Sequence, residues 1–558
     1  MRILIIGGVA GGASAATRAR RLNEEAKITM VEQGPYVSYA NCGLPYYVGG
    51  QINDPQDLLL ETTESLWDRF HIDAQVNTRA VDVDLAHHQA RISNIFEESQ
   101  IVEFDRLILA PGASPVIPPI AGLERPDVFM LRTVPDALNL RQYLDSRSHI
   151  QHVTVIGAGF IGMEMAEVLH SRGYKVTVVD KAPHILPVFD PDVARYIEHR
   201  LSDLGIEQVL GTAVSRINGI FGHPTITLDS QRQMKTDAVV VGLGVRPSLK
   251  LAQQMGLKLG STGAIWVDPS MKTSHPLVYA AGDAVEKRDL VTGLPRWWPL
   301  AGIANKEGRV AGTNAAGGSQ TFPGALGTAI VRISPYYLAM TGLTETAARQ
   351  NGIAHQILYT VRGHHAGYYP GAEDLFTKVV YDPSSGHLLG AQIAGQEGVD
   401  KRIDIFATAI QGHMTMESLE SLDLAYAPPV GSAKDPVIIT AMAAVNHQSG
   451  LVSTINPSEL AEWIAADNNQ PLILDVRDQD EVSETGMIPQ ARWIPLNTLR
   501  EHLPSLPKES PIVLYCRSGH RSYIAARILR QHAFPQVFNL NGGITAWQQQ
   551  QMPRLTKA

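Results

Sequence analysis

Two stretches of the chain repeat one order of apolar and polar positions. In the first, the apolar run "ILII" (3–6) breaks at glycines, passes into the alanine-rich "ASAATRARRL", and returns as "ITMV" before closing on Glu32. In the second, "VTVI" (153–156) meets "GAGFIG", continues as "MEMAEVLHSRG", and returns as "VTVV" before closing on Asp180. A short, unbroken apolar run bounded by glycine predicts a buried strand, and the segment between two such strands predicts a crossover helix. Each stretch therefore predicts a strand, glycine turn, helix and second strand. "DRLILAPGASP" (105–115) and "LVYAAGDAVE" (277–286) read as further buried strands opening into turns.

From about 325 to 440 the pattern changes to short strands and a helix, with "HHAGYYPGA" and "LDLAYAPPVGSAKDP" as its distinctive stretches. The turn-rich "NHQSGLVSTINP" then predicts a boundary, and "LILDVRD", "PIVLYCRSGHRSYIAARIL" and "VFNLNGGITAW" form a separate α/β pattern. The chain has 558 residues, 44% of them hydrophobic, enough for several cores. With 47 basic against 55 acidic side chains the net charge is -8, so nothing global draws nucleic acid or an anionic membrane. No uninterrupted apolar run is long enough for a membrane span, and the glycine-broken N-terminus reads as strand and turn, not as a signal peptide. The two cysteines, Cys42 and Cys516, lie far apart, which suits reduced thiols in the cytoplasm.

The glycine turns carry chemistry. Gly157, Gly159 and Gly162 complete a G-x-G-x-x-G turn, where a helix N-terminus can approach a pyrophosphate, and Asp180 stands where a ribose hydroxyl is read, favouring NAD over NADP. In the first unit Gly7 and Gly12 hold the outer positions and Glu32 the acid, but Val9 replaces the middle glycine. Two units imply two dinucleotides. Cys42, in "SYANCGLPYY", admits two readings, a packed small hydrophobe or a reactive thiol. Cys516 follows an apolar strand and precedes a helix, a setting in which loop N–H groups stabilise a thiolate or persulfide. Arg18 and Arg21, three apart on the first helix, share a face that is either solvated or anion-binding.

Taken together, residues 1 to about 445 resemble the flavin disulfide reductase family, in particular its single-cysteine branch, to which coenzyme A disulfide reductases belong; residues from about 455 to 550 resemble a rhodanese domain. The fold this implies is α/β: two Rossmann-like dinucleotide-binding domains for FAD (1–115 with 250–325) and NAD (116–249), an α+β dimerisation domain (326–445), a linker (446–456) and a C-terminal α/β rhodanese domain (457–558). "AAGDA" and "VVGLGVRPS" are similar to further parts of the family pattern, and Ala110 and Asp283 join Gly7, Gly12 and Glu32 as implied FAD positions. The family's C-x4-C disulfide is reduced here to Cys42 alone in a match to "S-[FY]-x-N-C", so a small thiol, coenzyme A, is implied as the other half.

The resemblance places Ser14, Arg18, Arg21, Ser38, Asn41, Asn305 and Lys434 on coenzyme A positions. Tyr368, or its neighbour Tyr369, and Tyr426 match tyrosines that a partner subunit brings to the active site, which implies a homodimer. The persulfide loop is implied at Cys516, Arg517, Ser518, Gly519, His520 and Arg521, with six residues as in sulfurtransferases, and Met487 stands where relatives have histidine. The activity implied is NADH-dependent reduction of coenzyme A persulfide, polysulfide or disulfide, releasing hydrogen sulfide or thiol. An NADH peroxidase or oxidase working through a sulfenic acid is the runner-up, opposed by Ala10 where those enzymes carry histidine. A redox sensor or sulfur carrier without turnover is the non-enzymatic alternative, opposed by the intact NAD turn.

Overall fold

The computed structural model describes residues 1–466, 470–550 and 555. They divide into two compact units, one of residues 1–185 with 204–327, the other of 186–203 with the chain from 328 onward.

The first unit holds two parallel five-stranded sheets. One runs, in spatial order, through strands Val278–Ala280, Arg106–Leu109, Arg2–Ile6, Lys27–Val31 and Ile72–Gln75. The other runs through Ile206–Leu210, Lys175–Asp180, His152–Ile156, Ala238–Val241 and Val128–Met130. Both repeats thus fold as their apolar runs predict, each first strand central and flanked on both sides. That position puts the end of the first strand at a switch in strand order, where α/β sheets open a crevice for ligands. The helix Ala301–Ala315 packs on Ala10–Leu22 through Gly308 and Gly312. A Cβ at either glycine would stand 2.2 Å from a backbone carbonyl, of Gly11 or Ala15, so only glycine permits this approach.

In the second unit an antiparallel sheet runs in the order Ala329–Ile333, Tyr336–Gly342, Leu388–Gly395, Asp374–Tyr381, Gln356–Gly363. Helix Pro191–Asp203 belongs here, although its sequence position lies inside the expected 116–249 domain. The reason is electrostatic: buried Lys378 lies 3.0 Å from Asp190, 2.9 Å from Asp192 and 2.7 Å from Glu345. A buried ammonium needs such partners, since removing one from a buried pair costs about 3–5 kcal/mol. Lys378 and the hydrogen bonds from Thr346 hold Asp190 below the usual carboxylate range, against the opposing effect of its burial.

The C-terminal sheet of the same unit is parallel, in the order Ser453–Ile455, Val537–Leu540, Ile512–Tyr515, Leu472–Asp475, Arg492–Trp493. The stretch expected as a linker, 446–456, therefore contributes structure at both ends. It carries the end of helix Pro436–Gln448 and an edge strand, because "STI" supplies β-branched residues that pair with Phe538–Leu540.

Candidate active sites at two cysteines

The two acids that close the repeats do the same local work. Glu32 accepts from the N–H groups of Gly8 and Gly34, both at 2.8 Å. Asp180 accepts from Ala158 at 2.6 Å and Ala182 at 2.7 Å. Each carboxylate ties the strand that precedes it to the glycine turn. Gly7 and Gly157 hold φ of 103° and 110°, in the region that favours glycine. A Cβ on Gly12 or Gly162 would lie 1.8 Å from the carbonyl oxygen of Gly7 or Gly157, so these glycines serve helix packing. Gly159 differs: a Cβ there would meet nothing within 4 Å. The open space beside it suits a ligand's pyrophosphate, and no side chain caps helix Phe160–Ser171 or Ala10–Leu22, so the positive end of each helix dipole faces its glycine turn. On these observations the residues fit two dinucleotides. In the first repeat a Cβ on Gly7 would strike the Ala110 carbonyl at 2.0 Å, so Ala110 forms the wall of that turn.

Cys42 is exposed on the turn Asn41–Gly43. Its loop is tied to the first glycine turn, the Ser38 N–H donating to Gly8 O at 2.8 Å, with Ser38 itself at φ 44°. Asn41, oriented by its hydrogen bonds, accepts from Arg132 Nη1 at 2.7 Å and donates to the Tyr39 carbonyl at 3.1 Å. Arg132 also donates to the Ala113 carbonyl at 3.1 Å and lies 3.8 Å from Asp283. Desolvation pushes the Cys42 thiol up, Glu164 and Asp283 add to it, and Arg132 opposes them. Glu164 is itself raised to about 7, by burial first and then by Glu167. Burial also raises Asp283, with Arg132 and Lys287 opposing.

Arg132 and Glu164 were not found by sequence reasoning. Glu164 left one signal, a carboxylate within the apolar "FIGMEMAEVL"; Arg132 left none.

The coenzyme A candidates separate into groups. Ser14 donates to Asn305 at 3.0 Å, so the glycine-mediated helix contact joins these two. Arg18 donates to Thr313 at 2.9 Å, while Arg21 lies over the Phe70 ring at 5.5 Å; the shared face predicted by spacing ends in different partners. Their neighbour Arg20 is buried and donates to the carbonyls of Phe70 and His71. Ser38 and Asn41 stand in the Cys42 loop, and Lys434 is in the second unit. Also there, the hydroxyls of Tyr368 and Tyr426 meet at 2.9 Å, both side chains exposed, while Tyr369 packs edge-on against His365. Their mutual hydrogen bond raises the Tyr368 phenol.

Cys516 is buried and receives a hydrogen bond from Ser522 Oγ at 3.5 Å. The 539–545 segment pins the loop by its carbonyls: Ile544 N–H donates to Cys516 O at 2.9 Å, Thr545 N–H to Arg517 O at 3.1 Å, and Asn539 to Gly519 O at 3.0 Å. Gly519 at φ 88° caps helix His520–Gln531. Arg521 is held by Glu481, at 2.6 and 2.7 Å, and Asp478 at 2.8 Å. This ion pair holds Glu481 below its ordinary range, chiefly through the Arg521 hydrogen bond. Arg517 points away to Asp374 at 2.9 Å. Burial and then Arg362, Arg521 and Lys434 hold the His520 imidazole below its ordinary value.

Residues 1–308 match the family model described as pyridine nucleotide-disulphide oxidoreductase, and residues 328–436 match that family's dimerisation domain. The chain belongs to the pyridine nucleotide-disulphide oxidoreductase family. Residues 456–550 match a rhodanese-like domain. Among curated relatives, the NAD(P)H coenzyme A polysulfide/persulfide reductase of Pyrococcus horikoshii is 36% identical over 444 residues, 79% of this chain and 97% of that protein. Among solved structures, reduced Bacillus anthracis CoADR-RHD superposes with a TM-score of 0.94 at 38% identity, covering 98% of each chain. An NAD-dependent persulfide reductase from A. fulgidus gives 0.90 at 36%, covering 98% of this chain and all (100%) of the other. Family membership makes this chain an oxidoreductase that uses FAD and a pyridine nucleotide, with an added rhodanese domain, as the sequence resemblance implied.

Proposed function

We propose that this protein reduces coenzyme A persulfide, polysulfide and disulfide with NADH, through Cys42, and that Cys516 handles sulfane sulfur. The observation that carries the reading is the solitary, exposed Cys42 thiol on a loop hydrogen-bonded to the first glycine turn, in a chain whose only other cysteine belongs to a rhodanese loop.

In this reading the Cys42 thiolate attacks the inner sulfur of coenzyme A persulfide. A Cys42–coenzyme A disulfide forms, the S–S bond of the persulfide breaks, and hydrosulfide leaves with the electron pair. FAD, which the turn of Gly7, Gly12 and Glu32 would hold, would supply the electron pair, drawn from NADH, that this disulfide needs to reopen. Ser14, Arg18, Arg21, Ser38, Asn41, Asn305 and Lys434 hold coenzyme A, whose phosphates need local cations in a chain of net charge -8. The Tyr368 and Tyr426 hydroxyl pair, brought from the partner subunit of a homodimer, protonates the leaving sulfur. Their direct hydrogen bond supports Tyr368 over Tyr369 in this role. Arg521, anchored by Glu481 and Asp478, closes the sulfur loop at Cys516. We place the protein in the cytoplasm; among the described residues no helix is long and apolar enough to cross a membrane.

The test is NADH oxidation by the purified flavoprotein with coenzyme A persulfide, coenzyme A disulfide or peroxide as oxidant, following hydrogen sulfide. Sulfide release that requires Cys42 supports the reading. Turnover with peroxide or oxygen alone would replace it with the sulfenic acid alternative.

A further inference from the structure

The antiparallel sheet of the second unit ends at strand Gln356–Gly363, which has one strand neighbour. An edge strand presents unpaired N–H and C=O groups. Here the Asn541 carboxamide pairs with them, accepting from the Tyr359 N–H at 2.8 Å and donating to the Ile357 carbonyl at 3.1 Å. The approach is close: a Cβ on Gly542 would lie 2.7 Å from the Tyr359 Cβ. One residue on, a Cβ at Gly543 would lie 2.4 Å from the Cys516 carbonyl oxygen. A single turn, 541–543, therefore grips both the sheet edge and the loop that carries Cys516. The Arg517–Asp374 ion pair adds a second link, and Asp374 pairs in register with Gly363.

Between these links, on the same edge strand, stands Arg362. Its side chain is half-buried and has no hydrogen-bond or ion-pair partner among the described residues. Its charge interacts with Cys516 and Asp374, which favour it, and with Arg517, which opposes it; burial, the largest effect, lowers its pKa. A guanidinium that has lost water and gained no carboxylate is poised for an incoming anion.

We infer that Cys516 works in a composite site walled by the edge of the antiparallel sheet, in which Arg362 binds the anionic end of a small oxyanionic sulfane-sulfur donor of the thiosulfate class. This rests on the reading of Cys516 as a sulfur acceptor. In the step served, the Cys516 thiolate attacks the outer sulfur of the donor. An S–S bond to Cys516 forms, the donor's S–S bond breaks, and sulfite leaves with the electron pair. The donor itself provides the oxidised sulfur, so no further oxidant enters.

The test uses the full-length holoenzyme and measures sulfite release from thiosulfate, with cyanide as acceptor. Arg362→Gln should raise the thiosulfate KM about tenfold, the loss expected for one charge-assisted hydrogen bond, with kcat within about twofold. Arg362→Lys should recover most of the affinity, and the rise of KM with ionic strength in the wild type should flatten in Arg362→Gln. An unchanged KM in Arg362→Gln, or a Lys variant no better than Gln, overturns the inference; should Gln fail to fold, a Lys variant with wild-type salt dependence upholds it and one without overturns it. Cys516→Ser separates the two readings. Sulfite release that survives it defeats the Cys516 assignment and the inference together, whereas release that needs Cys516 but ignores Arg362 defeats the inference alone.

Discussion

The two thiols sit in opposite kinds of environment. Cys42 is exposed on a short turn, and the groups that press on it, Glu164, Asp283 and Arg132, come from three separate segments. Cys516 is buried in a loop pinned by its own domain and hydrogen-bonded by Ser522. The first is a thiol whose protein surroundings discourage the thiolate; the second is one whose backbone is already arranged around it. The contrast teaches that a sulfur centre completed by ligands can be left open and electrostatically unfavourable, while a sulfur carrier must be preorganised by the chain itself.

The sharpest way to break this comparison is to remove each sulfur in turn. Cys42→Ser should lower NADH-dependent sulfide release from coenzyme A persulfide by about 10³-fold or more, the order seen when a nucleophile is lost. Cys516→Ser should leave that reaction running yet abolish sulfite release from thiosulfate; equal loss of both activities in both variants would erase the distinction. Next in size, Tyr368→Phe or Tyr426→Phe should cut kcat for persulfide by about 10²-fold, as for a missing proton donor, with the Cys516 reaction untouched. Asp180→Ala should weaken NADH about tenfold in KM, because it removes both the proposed ribose reader and the tie to Ala158.

The smallest effect bears on the electrostatic half of the contrast. Glu164, at about 7, is ionised above that pH and then opposes the Cys42 thiolate. Glu164→Gln should therefore shift the Cys42 alkylation profile of the holoenzyme to lower pH, by about one unit or less. A profile that stays in place would show that desolvation, Asp283 and Arg132 set the thiol without Glu164.

What could be read from the sequence was whatever a short run of backbone decides. Gly7, Gly12, Gly157 and Gly162 mark turns because close approach or positive φ excludes side chains there, Gly159 because open space lies beside it, and Glu32 and Asp180 close the same units because a strand end holds them near the turn. The loop after "PIVLY" is equally local: strand, four residues from Cys516 to Gly519, helix. Tertiary structure decided the rest. Arg132 and Glu164 reach Cys42 from distant segments, and charge acting through space leaves no period in a sequence. Asp190 and Asp192, paired with buried Lys378, draw 186–203 into the second unit, away from its neighbours along the chain. Asn541 finds the edge of a sheet built from residues 329–395, a pairing whose partner is a row of backbone groups that any sequence would present.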